Sequence, residues 1–405
     1  MPPVLMMLAA HATDIVSTLR EHGHQAFFVG GCVRDMVMGI EPADYDIATS
    51  ARPDEVIALF PRTEPVGAKF GVILVIHRGH PFEVATFRSD DAYVDGRRPT
   101  GVTFTGPEED VQRRDFTING LLYDPITGQV IDYVDGRADI ARKVVRAIGD
   151  PDRRFGEDKL RILRAIRFGA RLGYTIEEKT WAAVCAMASE ITQVSYERIR
   201  DELMRILTDQ PVDGLRMLDA SGLIKVILPE VEWGPRLEAA MAQLHALRPN
   251  PPADFALAVL LHACTPGQTI AVASRLRLSN SEADHVRRVV TGQSRIAGAG
   301  SLPIAAVKRL ARQPRFEDHL DLARIRIAVD HVPADGLEFL SDHLAVWAPA
   351  DLKPPALISG ADLISLGMTP GPSFKTILTA VEDEQLEGRL SDPASALEFV
   401  RTRYL

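Results

Sequence analysis

Two aspartates one residue apart, Asp44 and Asp46, are the first residues in this 405-residue sequence whose types and spacing could do chemistry. In an extended segment alternate side chains share a face, so both carboxylates would project toward one cation. Hard oxygen ligands of this kind suit Mg²⁺ together with substrate phosphates, and paired metals stabilise both the attacking and the leaving oxygen of a displacement. Taken alone, an Asp-x-Asp is more often a solvent-facing acidic turn, so the neighbouring motifs decide. A third carboxylate, Glu83, sits among apolar residues 82–87. It either faces solvent from an edge or converges on the aspartates, and spacing alone leaves both open.

Three further groups could handle a nucleotide. In Gly30-Gly31-Cys32-Val33-Arg34-Asp35 the glycines would let backbone N–H groups approach a phosphate, to which Arg34 could donate charge-assisted hydrogen bonds. A plain turn explains the same residues. In Arg113-Arg114-Asp115-Phe116-Thr117-Ile118-Asn119, Arg114 could bind triphosphate while Asp115 or Asn119 met ribose hydroxyls, against a blander reading of capping and salt bridging. Glu157-Asp158-Lys159-Leu160-Arg161 is followed by Arg164 and Arg167, a helical arginine stripe that drifts about 60° per step. Intrahelical pairs would explain the stripe, yet exposed pairs contribute only about 0.3–0.5 kcal/mol.

The elements that position these groups fall into two classes. Residues 26–150 alternate short β-branched or aromatic runs with turns, predicting an α/β head with a mixed sheet and a hairpin around Arg78-Gly79-His80-Pro81. After Pro151 apolar residues recur at helical spacing, as in Leu160, Leu163, Ile166 and Ala170, predicting an all-α remainder. Proline clusters at 249–252 and 349–355 mark breaks. The expected domains are a catalytic head at 1–150, a helical neck that recognises the base at 151–250, and a helical body and tail at 251–405. A chain this long exceeds the ~250–300 residues at which single cores stop growing.

Composition narrows the setting. Three separated cysteines without CxxC spacing argue against a disulfide framework or thiolate zinc site. No stretch reaches the ~18–20 apolar residues of a membrane span. The apolar start lacks a basic n-region and reads as a first helix. A cytoplasmic protein is expected. The formal charge of −9 excludes a generally basic coat, so any RNA surface must be local, with residues 137–171 one candidate.

In this order the five elements resemble the class II tRNA nucleotidyltransferase and bacterial poly(A) polymerase family of the polymerase-β-like superfamily. The likeness covers about residues 24–207 and ends on Ser195-Tyr196-Glu197-Arg198-Ile199 and Glu202-Leu203. A softer likeness to CCA-adding tails runs through Ser359-Gly360-Ala361-Asp362-Leu363 and Gly367-Met368-Thr369-Pro370-Gly371-Pro372. The resemblance implies that Asp44 and Asp46 hold Mg²⁺, with Glu83 completing the acidic cluster. It implies that Gly31, Arg34 and Arg114 contact the triphosphate, with Asp115 and Asn119 nearby. Asp158 and Arg161 would read the base, Arg164 and Arg167 would support the pocket, and Glu157 would hold the reader. Residue chemistry agrees: cytosine and adenine present an amino donor beside a ring-nitrogen acceptor, complementing Asp158 and Arg161, whereas uracil and guanine present the reverse.

The implied activity is untemplated addition of CCA to tRNA from CTP and ATP, with pyrophosphate released and the tRNA acceptor and TΨC arms held by the helical part. Residues 89–106, including Asp95-Gly96-Arg97-Arg98-Pro99, match the full-length loop that the family uses to switch from C to A. The alternatives are a poly(A) polymerase, an A-adding enzyme working with a separate CC-adding partner, and a silent RNA-binding module. An ending at Leu405 without a long basic tail and the stretch Val66-Gly67-Ala68-Lys69-Phe70-Gly71 favour CCA addition over poly(A), and the retained Asp pair disfavours the silent module. Gly120 stands where many relatives have Ala, a change expected to be tolerated. Ala263 after His262 replaces the Asp of a phosphohydrolase motif, and no such activity is expected.

Overall fold

A computed structural model describes residues 3–67, 70–90 and 101–405; Ala68, Lys69 and the Asp95 to Pro99 part of the expected switch loop lie outside the described residues. The chain divides into two compact units. One runs to Trp233 and includes Arg275–Arg277, and the other comprises Gly234–Ser274 and Leu278–Leu405.

The first unit is built on the expected mixed sheet. In chain order its strands are β1 (Ala26–Val29), β2 (Asp46–Thr49), β3 (Thr63–Gly67), β4 (Val72–His77) and β5 (His80–Thr86), then a separate ribbon of β6 (Arg88–Asp90) and β7 (Val102–Phe104), then β8 (Leu121–Asp124) and β9 (Gln129–Asp132). The seven-stranded order is β3-β4-β5-β2-β1-β8-β9. Within this sheet only β2 and β5 pair in parallel. The β4–β5 hairpin turns on Arg78 and Gly79, both at positive φ (48° and 83°), the twist a two-residue hairpin turn requires. Alternation follows: Phe82 and Val84 are buried while Glu83 between them is exposed.

Helices pack around this sheet: α1 (Pro3–Glu21), α2 (Gly31–Val37), α3 (Pro53–Leu59), α4 (Pro107–Gln112) and α5 (Gly136–Arg142). In α1, Ala12, Ile15, Val16 and Leu19 recur at helical spacing and are fully buried, the larger three contributing roughly 1.5–3 kcal/mol each. Gly120 sits in a tight spot, since an added Cβ would lie 2.8 Å from Val134 and 3.2 Å from Val111. Valine side chains occupy the space an alanine methyl would need.

The neck helices are α6 (Pro151–Glu157), α7 (Leu160–Leu172), α8 (Glu178–Ala186) and α9 (Tyr196–Asp209). Helix continuity fails between α6 and α7, where Asp158 is extended (φ −145°, ψ 106°). Helix α9 buries Ile199, Leu203, Ile206 and Leu207 on one stripe. Beyond residue 151 the described chain holds one strand, Thr175–Ile176, paired in parallel with Val144–Val145. Two residues are too few to leave an alternation signal.

The second unit is helical, with separate cores around Leu310, Leu320 and Leu340 and around Leu363, Ile377 and Val381. The 249–252 proline cluster falls between helices, whereas Pro349 opens a short helix, Pro349–Leu352, with Pro354 and Pro355 just beyond it. His262 is buried, its Nδ1 2.8 Å from the Val259 carbonyl and its Nε2 3.6 Å from Asp330. Among the described residues no helix is long and apolar enough to cross a membrane.

Candidate active site

A cleft of about 670 Å³ in the first unit collects Gly31, Arg34, Asp44, Asp46, Arg114, Asp115, Asn119, Asp158, Arg161, Arg164 and Arg167. Residues from four separate stretches of sequence therefore share one space. Of the residues given a role at the site, Glu83 and Glu157 are outside the lining.

Asp46 opens β2 and Asp44 lies in the extended segment before it. Tyr45 between them turns inward against Phe28, ring centroids 5.2 Å apart, so both carboxylates face the cleft. Parallel pairing of Ile47 with Val84 sets Glu83 one residue back, beside Asp46. Burial, then Glu83 and Asp44, push the Asp46 carboxyl up to about 6, against an opposing pull from Arg114. Among the described residues no side chain hydrogen-bonds either aspartate, and no three His, Cys, Asp or Glu side chains converge as a complete metal cage. Two unpartnered, mutually repelling carboxylates open to a cleft fit a cation whose remaining ligands come from substrate and water.

The phosphate-binding candidates are held rather than free. Gly30 has φ 77°, and a Cβ there would lie 3.4 Å from Arg114 Nη1, so glycine keeps this corner open. Arg34 is almost wholly buried, donating through Nε and Nη2 to Asp35 (2.8 and 2.6 Å) and through Nη1 to Asn119 (2.9 Å). Arg114 Nη2 donates to Asp110 at 3.0 Å, while its buried Nε has no partner. That N–H is a vacant donor next to the acidic pair. Burial alone would raise the Asp110 carboxyl, but Arg114 and Arg113 outweigh it and hold it low.

Asp115 binds Arg164 (2.8 Å) and accepts from Asn119 (3.2 Å) and the Phe116 amide (2.8 Å). Burial would raise its carboxyl; the Arg164 guanidinium and these hydrogen bonds prevail and hold it at about 2. The ribose-contact role thus competes with bonds already made. The arginine stripe finds its carboxylates outside its own helix. Arg161 pairs with Glu157 (2.8 Å), but Arg164 reaches back to Asp115 and Arg167 forward to Glu202 (2.5 Å). Three guanidinium groups, those of Arg34, Arg164 and Arg167, lie over the Phe168 ring at 5.4, 5.3 and 4.2 Å from its centroid.

The hydrogen-bonding valence of Asp158 and Arg161 can be counted. Asp158 accepts from the Leu160 amide (3.0 Å) and Arg198 Nη1 (3.2 Å) on Oδ1, and from Arg198 Nη2 (2.7 Å) on Oδ2. One acceptor position remains, on Oδ2. Arg161 spends Nη1 on Glu157 and the Arg154 carbonyl and one Nη2 hydrogen on the Arg113 carbonyl. Its Nε and second Nη2 hydrogens remain. Asp110, Arg198 and Glu202 were missed as site residues by sequence reasoning. Asp110 stands three and four residues before the arginine pair it anchors, a spacing that could have exposed it, whereas Arg198 and Glu202 act from a distant helix.

Residues 26–146 match the family described as Poly A polymerase head domain, and residues 173–233 match that described as probable RNA and SrmB- binding site of polymerase A. A CCA-adding enzyme of Levilactobacillus brevis is 35% identical across 95% of this chain and 96% of its own length. The chain belongs to the CCA-adding enzyme family. Another member, from Limosilactobacillus fermentum, is 35% identical over 95% and 94% of the two chains. The crystal structure of the Bacillus stearothermophilus CCA-adding enzyme in complex with CTP superposes with a TM-score of 0.73 at 28% identity, covering 100% of this chain and 99% of that one. The head and the helical remainder both fall within this family likeness.

Proposed function

We propose that this protein adds CCA to tRNA 3′ ends from CTP and ATP without a nucleic-acid template, releasing pyrophosphate. The observation that carries the reading is the convergence of two unpartnered carboxylates with a base reader offering one acceptor beside guanidinium donors. Uracil and guanine mismatch that pattern at both positions.

In this reading Asp44 and Asp46 hold Mg²⁺, with Glu83 reinforcing the negative field behind them. The bound cation supplies a nucleophile of lowered pKa and neutralises charge on the leaving phosphates. Arg114 and Gly31 contact the triphosphate, and Arg34 fixes Asp35 and Asn119 beside it. Asp115 and Asn119 orient Arg164 and the ribose side. Arg164 and Arg167 hold Phe168 and the pocket wall, and Glu157 locks Arg161. The tRNA 3′-hydroxyl attacks the α-phosphate in line, and positioning supplies most of the rate.

Residues 1–150 serve as the catalytic head, 151–250 as the neck, and 251–405 hold the acceptor and TΨC arms by shape and backbone charge. The setting is the cytoplasm, in line with cysteines that form no disulfide among the described residues. The test is incorporation of labelled CTP into tRNA lacking its terminus by the Asp44→Ala/Asp46→Ala double variant. Loss of incorporation with an intact fold is expected, and continued addition would overturn the metal assignment.

A further inference from the structure

We infer that Arg198 sets nucleotide selectivity by fixing Asp158 as an acceptor with a single open position. The inference rests on the base-reading role proposed for Asp158. Asp158 lies in the extended break between α6 and α7, where its own segment restrains the carboxylate through the Leu160 amide alone. The remaining restraint comes from Arg198, forty residues later at the start of α9. Its fork meets both oxygens, Nη1 at 3.2 Å and Nη2 at 2.7 Å. The helix carrying the fork is anchored by Ile199 and Leu203, both fully buried.

A carboxylate accepts about four hydrogen bonds, and three are taken here. Oδ1 is saturated and Oδ2 keeps one lone pair facing the cleft. Held this way, Asp158 can accept one amino hydrogen, and it cannot rotate its other oxygen toward a different donor. A planar two-point contact restrains rotation in a way a point charge does not. Without Arg198 the carboxylate regains two acceptor positions and rotational freedom. It can then meet the N3–H of uracil or the N1–H of guanine. Selectivity should loosen while the chemistry at Asp44 and Asp46 continues. Arg198 touches no substrate in this account; it is a positioning residue.

The experiment compares incorporation of CTP against UTP, and ATP against GTP, on tRNA substrates by wild type, Arg198→Met, Arg198→Lys, Asp158→Asn and the Arg198→Met/Asp158→Asn double variant. The readout is the kcat/KM ratio, which does not change with the fraction of folded enzyme. The ratio is expected to fall roughly tenfold or more in Arg198→Met, as loss of a charged hydrogen bond implies. Arg198→Lys should fall between, and the double variant should discriminate no worse than Asp158→Asn. An unchanged ratio in Arg198→Met alongside a collapsed one in Asp158→Asn overturns the inference and leaves the reader standing. Unchanged ratios in both overturn the base-reading role itself. Additive losses would show Arg198 acting independently of Asp158, which also overturns the inference.

Discussion

Asp46→Asn should abolish nucleotide addition and, in metal-free buffer, make the protein more stable. Burial and the neighbouring carboxylates raise Asp46 from 3.8 to about 6. At about 1.4 kcal/mol per pKa unit, ionising it in the folded state costs roughly 3 kcal/mol at pH 7.5. The sign follows from the raised value: the cost is absent below 3.8, grows as pH rises toward 6, and is fully present above 6. An uncharged amide of the same shape escapes it. For a unit of this size roughly 3 kcal/mol corresponds to about 6–12 °C in the midpoint of its unfolding transition. Thermal unfolding with chelator at pH 7.5 and pH 5.0 measures it, and about half the gain should remain at pH 5.0. Added Mg²⁺ should stabilise the wild type and much less the variant, because only a site that binds in the native state shifts the equilibrium. A variant midpoint equal to or below wild type at pH 7.5, or a gain indifferent to pH, would refute the electrostatic reasoning.

Two other outcomes follow from the same pocket. Asp115, held at about 2 against an ordinary 3.8, contributes roughly 2 kcal/mol that is present above 3.8 and lost as pH falls through 2; Asp115→Asn should lose that contribution at neutral pH, read by urea unfolding at pH 7 and pH 2.5. Glu202→Leu leaves the buried Arg167 without its partner and should cost about 3–5 kcal/mol, most of it recovered in the Arg167→Met/Glu202→Leu pair. Denaturant midpoints of the two variants check this, and equal losses in single and double would contradict it.

Much of this site was legible because its chemistry sits in short segments. The Asp44 and Asp46 alternation needed only a strand, and Tyr45 turning inward fulfils it. The β4–β5 hairpin was announced by Arg78-Gly79, and the helical remainder by apolar spacing. What stayed hidden were partnerships across the fold. The stripe Arg161, Arg164 and Arg167 suggests intrahelical pairs, yet two of the three find carboxylates 49 and 35 residues away. Asp158 likewise pairs with Arg198 rather than with a neighbour. Side-chain reach within a helix is set by local geometry, whereas these pairs depend on how α7 meets α9 and the head. Glu83 was ambiguous for the same reason: its place beside Asp46 follows from the parallel β2–β5 register, which no local pattern encodes.

The central claim is a protein side-chain template that admits only C and A in a fixed order, and 3′-end sequencing of tRNA lacking its terminus tests it most directly. With CTP alone, the account predicts two added cytidines and then arrest; with both nucleotides, a completed CCA. Growth of an adenosine tract, or failure to add any cytidine while adding adenosine to tRNA already ending in CC, would contradict it.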